Sequence, residues 1–165
     1  NFIFVAIFIG YSIGTAPIIG FHYGAKNHSE LKSIFKKSMN LNMLAGIVLA
    51  LLALLLSRVL SELFVGYDKE LCDMTIRGFR IYALSFLFCG FNIFGSSLFT
   101  ALNNGLVSAI ISFLRTLLFQ VAAILIMPVI WGLDGIWYSV AVAEVVALIL
   151  TMSFVMKLRE KYHYM

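Results

Sequence analysis

Charged residues are scarce in this chain, and several long apolar stretches contain none at all or almost none. Only 12 Lys and Arg and 8 Asp and Glu occur in 165 residues, whereas 62% of the residues are hydrophobic. The mean hydropathy is +0.99. A water-soluble domain cannot hide so much apolar surface, so the composition argues against one large soluble helical core.

Residues that hold metals or build nucleophilic sites are also sparse. The two cysteines, Cys72 and Cys89, have neither metal-ligand nor redox spacing, and the three histidines are scattered. No nucleophile, base and metal cluster is visible, and no basic cluster is interleaved with exposed aromatic residues. We therefore expect neither an enzyme nor a nucleic-acid-binding protein, and we expect no cofactor or metal.

Five apolar stretches fill almost the whole chain. A hydrocarbon core about 30 Å thick needs roughly 20 apolar residues as a helix, and residues 2–21 meet that length without one formal charge. The pattern predicts an all-α polytopic membrane helix bundle with five transmembrane helices. The predicted spans are residues 2–21, 41–56, 81–102, 116–131 and 136–156. Since the chain starts inside the first stretch without an initiator methionine, we expect it to be a fragment that lacks residues before Asn1.

The basic residues between the stretches predict an orientation, because Lys and Arg accumulate on the cytoplasmic side. The first loop and the carboxyl-terminal tail are basic, whereas four acids offset the four basic residues of the second loop, 57–80. We therefore expect a multi-pass protein of the cell membrane with its amino end outside and its carboxyl end in the cytoplasm. The basic residues of the first loop and tail are Lys26, Lys32, Lys36, Lys37, Lys157, Arg159 and Lys161.

Polar residues inside the third span fall on one helix face, because they recur at intervals of three and four. They are Ser85, Cys89, Asn92, Ser96, Thr100 and Asn103. Two interpretations remain open: the face packs against other helices through small and hydrogen-bonding side chains, or it lines a watery substrate cavity. The opposite face is rich in Phe and Leu, including Phe86, Phe91, Phe94 and Leu98, and we expect it to face lipid.

The first span contains two local signals. Gly10 and Gly14 have the GxxxG spacing that is typical of close helix packing. Pro17 cannot donate a backbone hydrogen bond to Ile13, so it predicts a bend in the helix. Bends at membrane depth are common in transporters, where neighbours or water satisfy the freed carbonyl group.

Three polar residues in or directly before the last two spans are candidates for function. Glu144 lies well inside the last span, where an ionised group costs roughly 2.5 to 3.5 kcal/mol on translocon scales. An unpaired carboxyl there could carry a proton, whereas a neutral or Arg-paired carboxyl would merely lock helices together. Arg115 precedes the fourth span, so we expect it near the inner interface, where it either reaches lipid phosphate or pairs with a substrate or carboxylate. Gln120, about one turn further, is similarly ambiguous.

Several segments together resemble a known transporter family. Residues 17–27, PIIGFHYGAKN, look like the inner end of a helix in the multidrug and toxic compound extrusion transporters. Residues 101–105, ALNNG, followed by 112–115, SFLR, are similar to that family's helix break and arginine-bearing helix. Residues 132–137, GLDGIW, with 143–144, AE, are similar to its last hairpin. The order and spacing of these segments carry the resemblance.

The resemblance implies that the five spans are the last five of twelve helices, so that residues 1–165 form part of the carboxyl-terminal lobe while the amino-terminal lobe is absent. It implies export of organic, often cationic, compounds in exchange for Na⁺ or H⁺. A related lipid or lipid-linked oligosaccharide flippase is the alternative. Some branches of the family carry an acid in the helix that corresponds to the third span. This chain has none there, and Asn92 is the nearest polar candidate.

Overall fold

The computed structural model describes residues 2–165, with side chains from residue 3 on, and its regular structure is entirely helical. A π-helical segment, Leu114–Phe119, joins α5 to α6. This architecture confirms the prediction of an all-α helix bundle. The helices are α1 (Phe2–Gly24), α2 (His28–Val65), α3 (Lys69–Ala83), α4 (Phe86–Ala101), α5 (Gly105–Phe113) and α6 (Gln120–Tyr162).

Three helical runs are long and apolar enough to cross a membrane: Ile3–Gly24, His28–Val65 and Gly105–Tyr162. Helices α3 and α4 meet at a bend of 46° and together are also long and apolar enough, which gives a fourth candidate span.

The run Gly105–Tyr162 contains two antiparallel helices. Gly132 has φ 58° and ψ −136°, a backbone conformation that glycine adopts readily because it has no Cβ. Arg115 and Glu144, separated by 29 positions, form a 2.7 Å contact. A straight helix would hold them about 44 Å apart. The chain therefore reverses at Gly132, and residues 2–165 form five helical passes.

Helix α4 lies at the centre of the bundle, with α1, α2, α5 and α6 packed around it. Phe86, Phe94 and Leu98 are at most 2% exposed, so the expectation that this apolar face meets lipid is wrong. The physical reason is that a helix that is apolar on most sides is stable in the middle of a bundle, where each side meets a neighbour.

Contacts between distant segments bring the first loop and the chain's last residues to one end of the bundle, the tail end. The rings of His28 and His163 lie 4.8 Å apart, and Asn104 Nδ2 donates to the Tyr162 hydroxyl at 2.9 Å. The basic residues of the first loop and of the tail therefore share one end. A cytoplasmic location for that end stays a prediction.

Helix α1 continues through Pro17 without a break. A bend within this continuous helix stays a prediction. The expectation of close packing at Gly10 and Gly14 is wrong for the described residues, since a Cβ at either would meet no atom within 4 Å. The α1 face that packs on α4 carries Phe8 and Ser12 instead, and both are buried.

Candidate functional site at the centre of the bundle

Arg115 lies deep in the bundle because its helix starts earlier than the apolar pattern predicts. The side-chain oxygen of Asn104 accepts from Val107 N at 3.3 Å and caps the start of α5 at Gly105. Arg115 follows ten residues later, about 15 Å along the helix axis and roughly half the thickness of a hydrocarbon core. The expectation of an interfacial Arg115 is therefore wrong. It lies in the π-helical segment, a distortion that is frequent at functional sites.

Arg115 and Glu144 form a bidentate ion pair that joins the two antiparallel helices. Arg115 Nε donates to both carboxylate oxygens of Glu144, at 3.1 and 3.0 Å, and Nη2 donates to Oε1 at 2.7 Å. The Glu144 side chain is 10% exposed and that of Arg115 is 21% exposed. Each charge compensates the other, which explains how two ionised groups are accommodated at this depth.

Asn92 of α4 connects this ion pair to the central helix. Its Nδ2 donates to Glu144 Oε2 at 2.7 Å and to the Glu144 backbone carbonyl at 3.0 Å. The Asn92 side-chain oxygen accepts from Thr151 Oγ1 at 3.0 Å. Since Asn92 and Thr151 are fully buried, these bonds satisfy polar groups that would otherwise be costly in the interior. Oε2 of Glu144 thus accepts from both α4 and the π-helical segment, whereas Oε1 accepts from the π-helical segment.

Sequence reasoning missed Thr151. A signal was present, because Thr151 follows Glu144 by seven residues, or about two turns, and so lies on the same face of α6. Gly95 of α4 faces it: a Cβ at Gly95 would collide with the Thr151 γ-methyl group. The absence of a side chain at Gly95 is what lets Thr151 approach Asn92.

A chain of hydroxyl groups lies beside the ion pair. Ser96 Oγ is 2.7 Å from Ser112 Oγ and 2.9 Å from Ser108 Oγ. Ser108 Oγ is in turn 2.7 Å from Thr100 Oγ1. Ser108, Ser112 and Arg115 recur at intervals of four and three, which places them along one side of their helix. The hydroxyl chain therefore leads from the end of α4 toward Arg115.

Two cavities meet at Arg115. The smaller, about 240 Å³, is lined by Asn92, Ser96 and Ser112 together with four apolar residues and Arg115. The larger, about 450 Å³, is lined by Thr116, Gln120, Glu144 and Tyr82 among others. Val5 of α1 lines both. The five predicted binding candidates, Glu144, Asn92, Ser96, Gln120 and Arg115, therefore all lie at this site, whereas Pro17 lines neither cavity.

The arrangement is suited to binding and exchange of charged groups. It combines a carboxylate, a guanidinium group, hydroxyls and space for a small molecule at the centre of a helix bundle, where water is scarce. Within residues 2–165, no three His, Cys, Asp or Glu side chains are grouped as metal ligands. The side chains present offer ionic contacts and hydrogen bonds.

A comparison with protein families matches residues 1–128 to the MatE family model. The match includes the residues of α1 to α5, the π-helical segment and the start of α6, and thus four of the five candidates; Glu144 lies beyond it. No curated protein and no solved structure matches the chain significantly.

Proposed function

The chain belongs to the MatE family of multi-pass membrane transporters, and on that premise we propose that it is part of a secondary active transporter. The transporter exports organic, often cationic, compounds in exchange for Na⁺ or H⁺. Family membership supports a transporter rather than an enzyme. The observation that carries the proposal is the Arg115–Glu144–Asn92 network beside two cavities at the centre of the bundle.

Glu144 is the residue that we assign to ion coupling. A carboxylate can bind a proton or Na⁺, and either event weakens its attraction for Arg115. Release of Arg115 then changes the contact between the two halves of the last hairpin and the shape of both cavities. Exchange of Arg115 for an external cation at Glu144 is thus a physical route by which ion binding alters the substrate site.

The remaining lobe supplies the other wall of the transport cavity in this proposal. Val5 and Ile9 of α1 line the smaller cavity, while Ile3, Ile7 and Ile13 of the same helix are exposed. We assign the amino-terminal lobe to that exposed side. The carboxyl-terminal tail is cytoplasmic, as the basic residues at the tail end suggest.

The test is coupled efflux by the full-length transporter in proteoliposomes, with pH and Na⁺ gradients imposed separately. Glu144→Gln keeps the size and much of the hydrogen bonding of the side chain but cannot titrate. We expect it to abolish efflux driven by the coupling ion while leaving substrate binding measurable. Glu62→Gln is the matched control, because Glu62 is an exposed carboxylate that pairs with Arg58 far from the network.

Efflux at the wild-type level by the Gln variant would reduce Glu144 to a packing role. Transfer of a lipid-linked anion between leaflets, with no efflux of soluble compounds, would instead favour the flippase. The flippase has less support here, because an anionic lipid head group calls for a strongly basic cavity, and Arg115 is the only basic residue among the described residues that line the two cavities.

A further inference from the structure

Arg115 uses only part of its hydrogen-bonding capacity on Glu144. A guanidinium group carries five N–H donors, and only Nε and Nη2 donate to the carboxylate. No acceptor among the described residues lies within hydrogen-bonding geometry of Nη1. Since Arg115 lines both cavities, its remaining donors are available to a molecule that occupies them.

The two cavities differ in charge. Glu144 lines the larger cavity but not the smaller, where Arg115 is the only charged side chain among the described residues. Both amide hydrogens of Asn92 are needed for its two bonds to Glu144. The donors left for an occupant of the smaller cavity are those of Arg115 and at most one hydroxyl hydrogen of the Ser96–Ser112 pair, because those two hydroxyls share a hydrogen bond. A guanidinium group with flanking hydroxyls suits a compact oxyanion, which can accept two parallel bonds from it.

The rest of the smaller cavity limits the size and charge of that anion. Its other walls are the apolar side chains of Val5, Ile9, Ile93 and Ile111. One guanidinium group, already shared with Glu144, cannot compensate a multiply charged group in such surroundings. A single negative charge attached to an apolar body fits better than a phosphate.

We propose that the smaller cavity binds a carboxylate group of the transported compound, with Arg115 shared between that carboxylate and Glu144. A cationic or apolar part of the same compound then extends past Arg115 into the larger cavity, where Glu144 is accessible. The inference rests on the proposed function and narrows its substrate class to compounds that carry a carboxylate, including zwitterions.

The test compares two ligands that differ only in this group: a cationic xanthene dye with a free carboxylate, and its methyl ester. Equilibrium binding to the full-length transporter in nanodiscs is measured by fluorescence polarisation without any ion gradient. We expect the acid to bind at least tenfold more tightly than the ester. In the double variant Arg115→Gln/Glu144→Gln the ratio of the two affinities should fall to within twofold of one.

The double variant keeps the site electrically neutral, so it avoids leaving Glu144 unpaired in the interior. The matched control is Arg58→Gln/Glu62→Gln, which removes an exposed pair and should leave the ratio unchanged. Should the first double variant fail to fold, Ser112→Ala provides a second measurement, with an expected fall in the ratio of two- to fivefold.

A free inorganic anion such as chloride could bind Arg115 in place of the substrate carboxylate. Replacing chloride with gluconate distinguishes these two ligands. An acid-to-ester ratio that stays above tenfold in both salts supports the substrate carboxylate. A ratio near one in wild type, or ester binding that requires chloride, overturns the proposal. So does a high ratio that survives in the Arg115→Gln/Glu144→Gln variant. Because binding at equilibrium needs no coupling ion, a failure of ion coupling at Glu144 would leave these results interpretable.

Discussion

The two sides of α4 are built differently, although each uses a glycine to admit a side chain from its neighbour. Toward α1, Gly90 leaves room for the Phe8 ring, which would lie 2.5 Å from a Cβ at that position. Toward α6, Gly95 leaves room for Thr151, which donates to Asn92. The first contact depends on shape alone, whereas the second positions a hydrogen-bonded network. An apolar contact offers one arrangement, but polar groups can exchange partners, so function is expected on the α6 side.

The largest loss of stability is expected from removing one charge of the ion pair on the side of α4 that faces α6. Arg115→Gln leaves Glu144 without its cation, and breaking a buried pair in this way costs about 3 to 5 kcal/mol. We expect the lower part of that range, because both cavities adjoin the pair. The free energy of unfolding of the full-length protein in detergent checks this value. Arg58→Gln, at an exposed pair, should change it by less than about 1 kcal/mol.

Alanine at the two glycines separates the two sides of α4. Gly90→Ala and Gly95→Ala should each lower the free energy of unfolding by about 1 to 3 kcal/mol, because both overpack a close contact. Only Gly95→Ala should also weaken binding of transported compounds, since it displaces Thr151 from Asn92.

A second substitution distinguishes the cause at Gly95. Thr151→Ser removes the methyl group that collides with the new Cβ but keeps the hydroxyl that bonds Asn92. It should restore both stability and binding to Gly95→Ala. Failure of this rescue, or equal loss of binding in Gly90→Ala, would contradict the division of α4 into an apolar and a functional side.

A smaller effect is expected from removing the Thr151 hydroxyl alone. Thr151→Val keeps the shape of the side chain, and hydrogen bonds between membrane helices contribute about 0.6 to 1.7 kcal/mol. The variant should lose that much stability in the same unfolding measurement, while Thr151→Ser stays within a few tenths of wild type. A Val variant as stable as wild type would show that Asn92 is held by Glu144 without Thr151.

The smallest effect, and one of opposite sign, is expected at Gly10. A Cβ there meets no described atom, and alanine favours a helix over glycine by about 1 kcal/mol. Gly10→Ala should therefore leave the packing of the described helices unchanged. It should not lower the free energy of unfolding. Destabilisation in the full-length transporter, measured beside Gly90→Ala, would show that the amino-terminal lobe packs closely on this face.

Most polar residues of the site could be predicted from the sequence, but the ion pair between Arg115 and Glu144 could not. Spacing alone placed Asn92 and Ser96 on one face, and a carboxylate inside an apolar run marked Glu144. The partner of Glu144 depended on where the helix of Arg115 begins. The apolar pattern of the sequence places Arg115 at the interface just before the fourth span, because a lone charge is costly in lipid, and only the fold shows that Glu144 compensates it. The burial of Phe86 and Phe94 was missed for a related reason: the sequence does not reveal which helix lies in the centre.

The most direct test of the account is whether Arg115 and Glu144 depend on each other. The measurement is a double-mutant cycle on the free energy of unfolding, with Arg115→Gln, Glu144→Gln and the combined variant. Contact between the two charges predicts that the combined variant is more stable than Arg115→Gln alone, with a coupling energy of at least about 2 kcal/mol. Additive losses within about 0.5 kcal/mol would contradict the ion pair, and with it the assignment of this site.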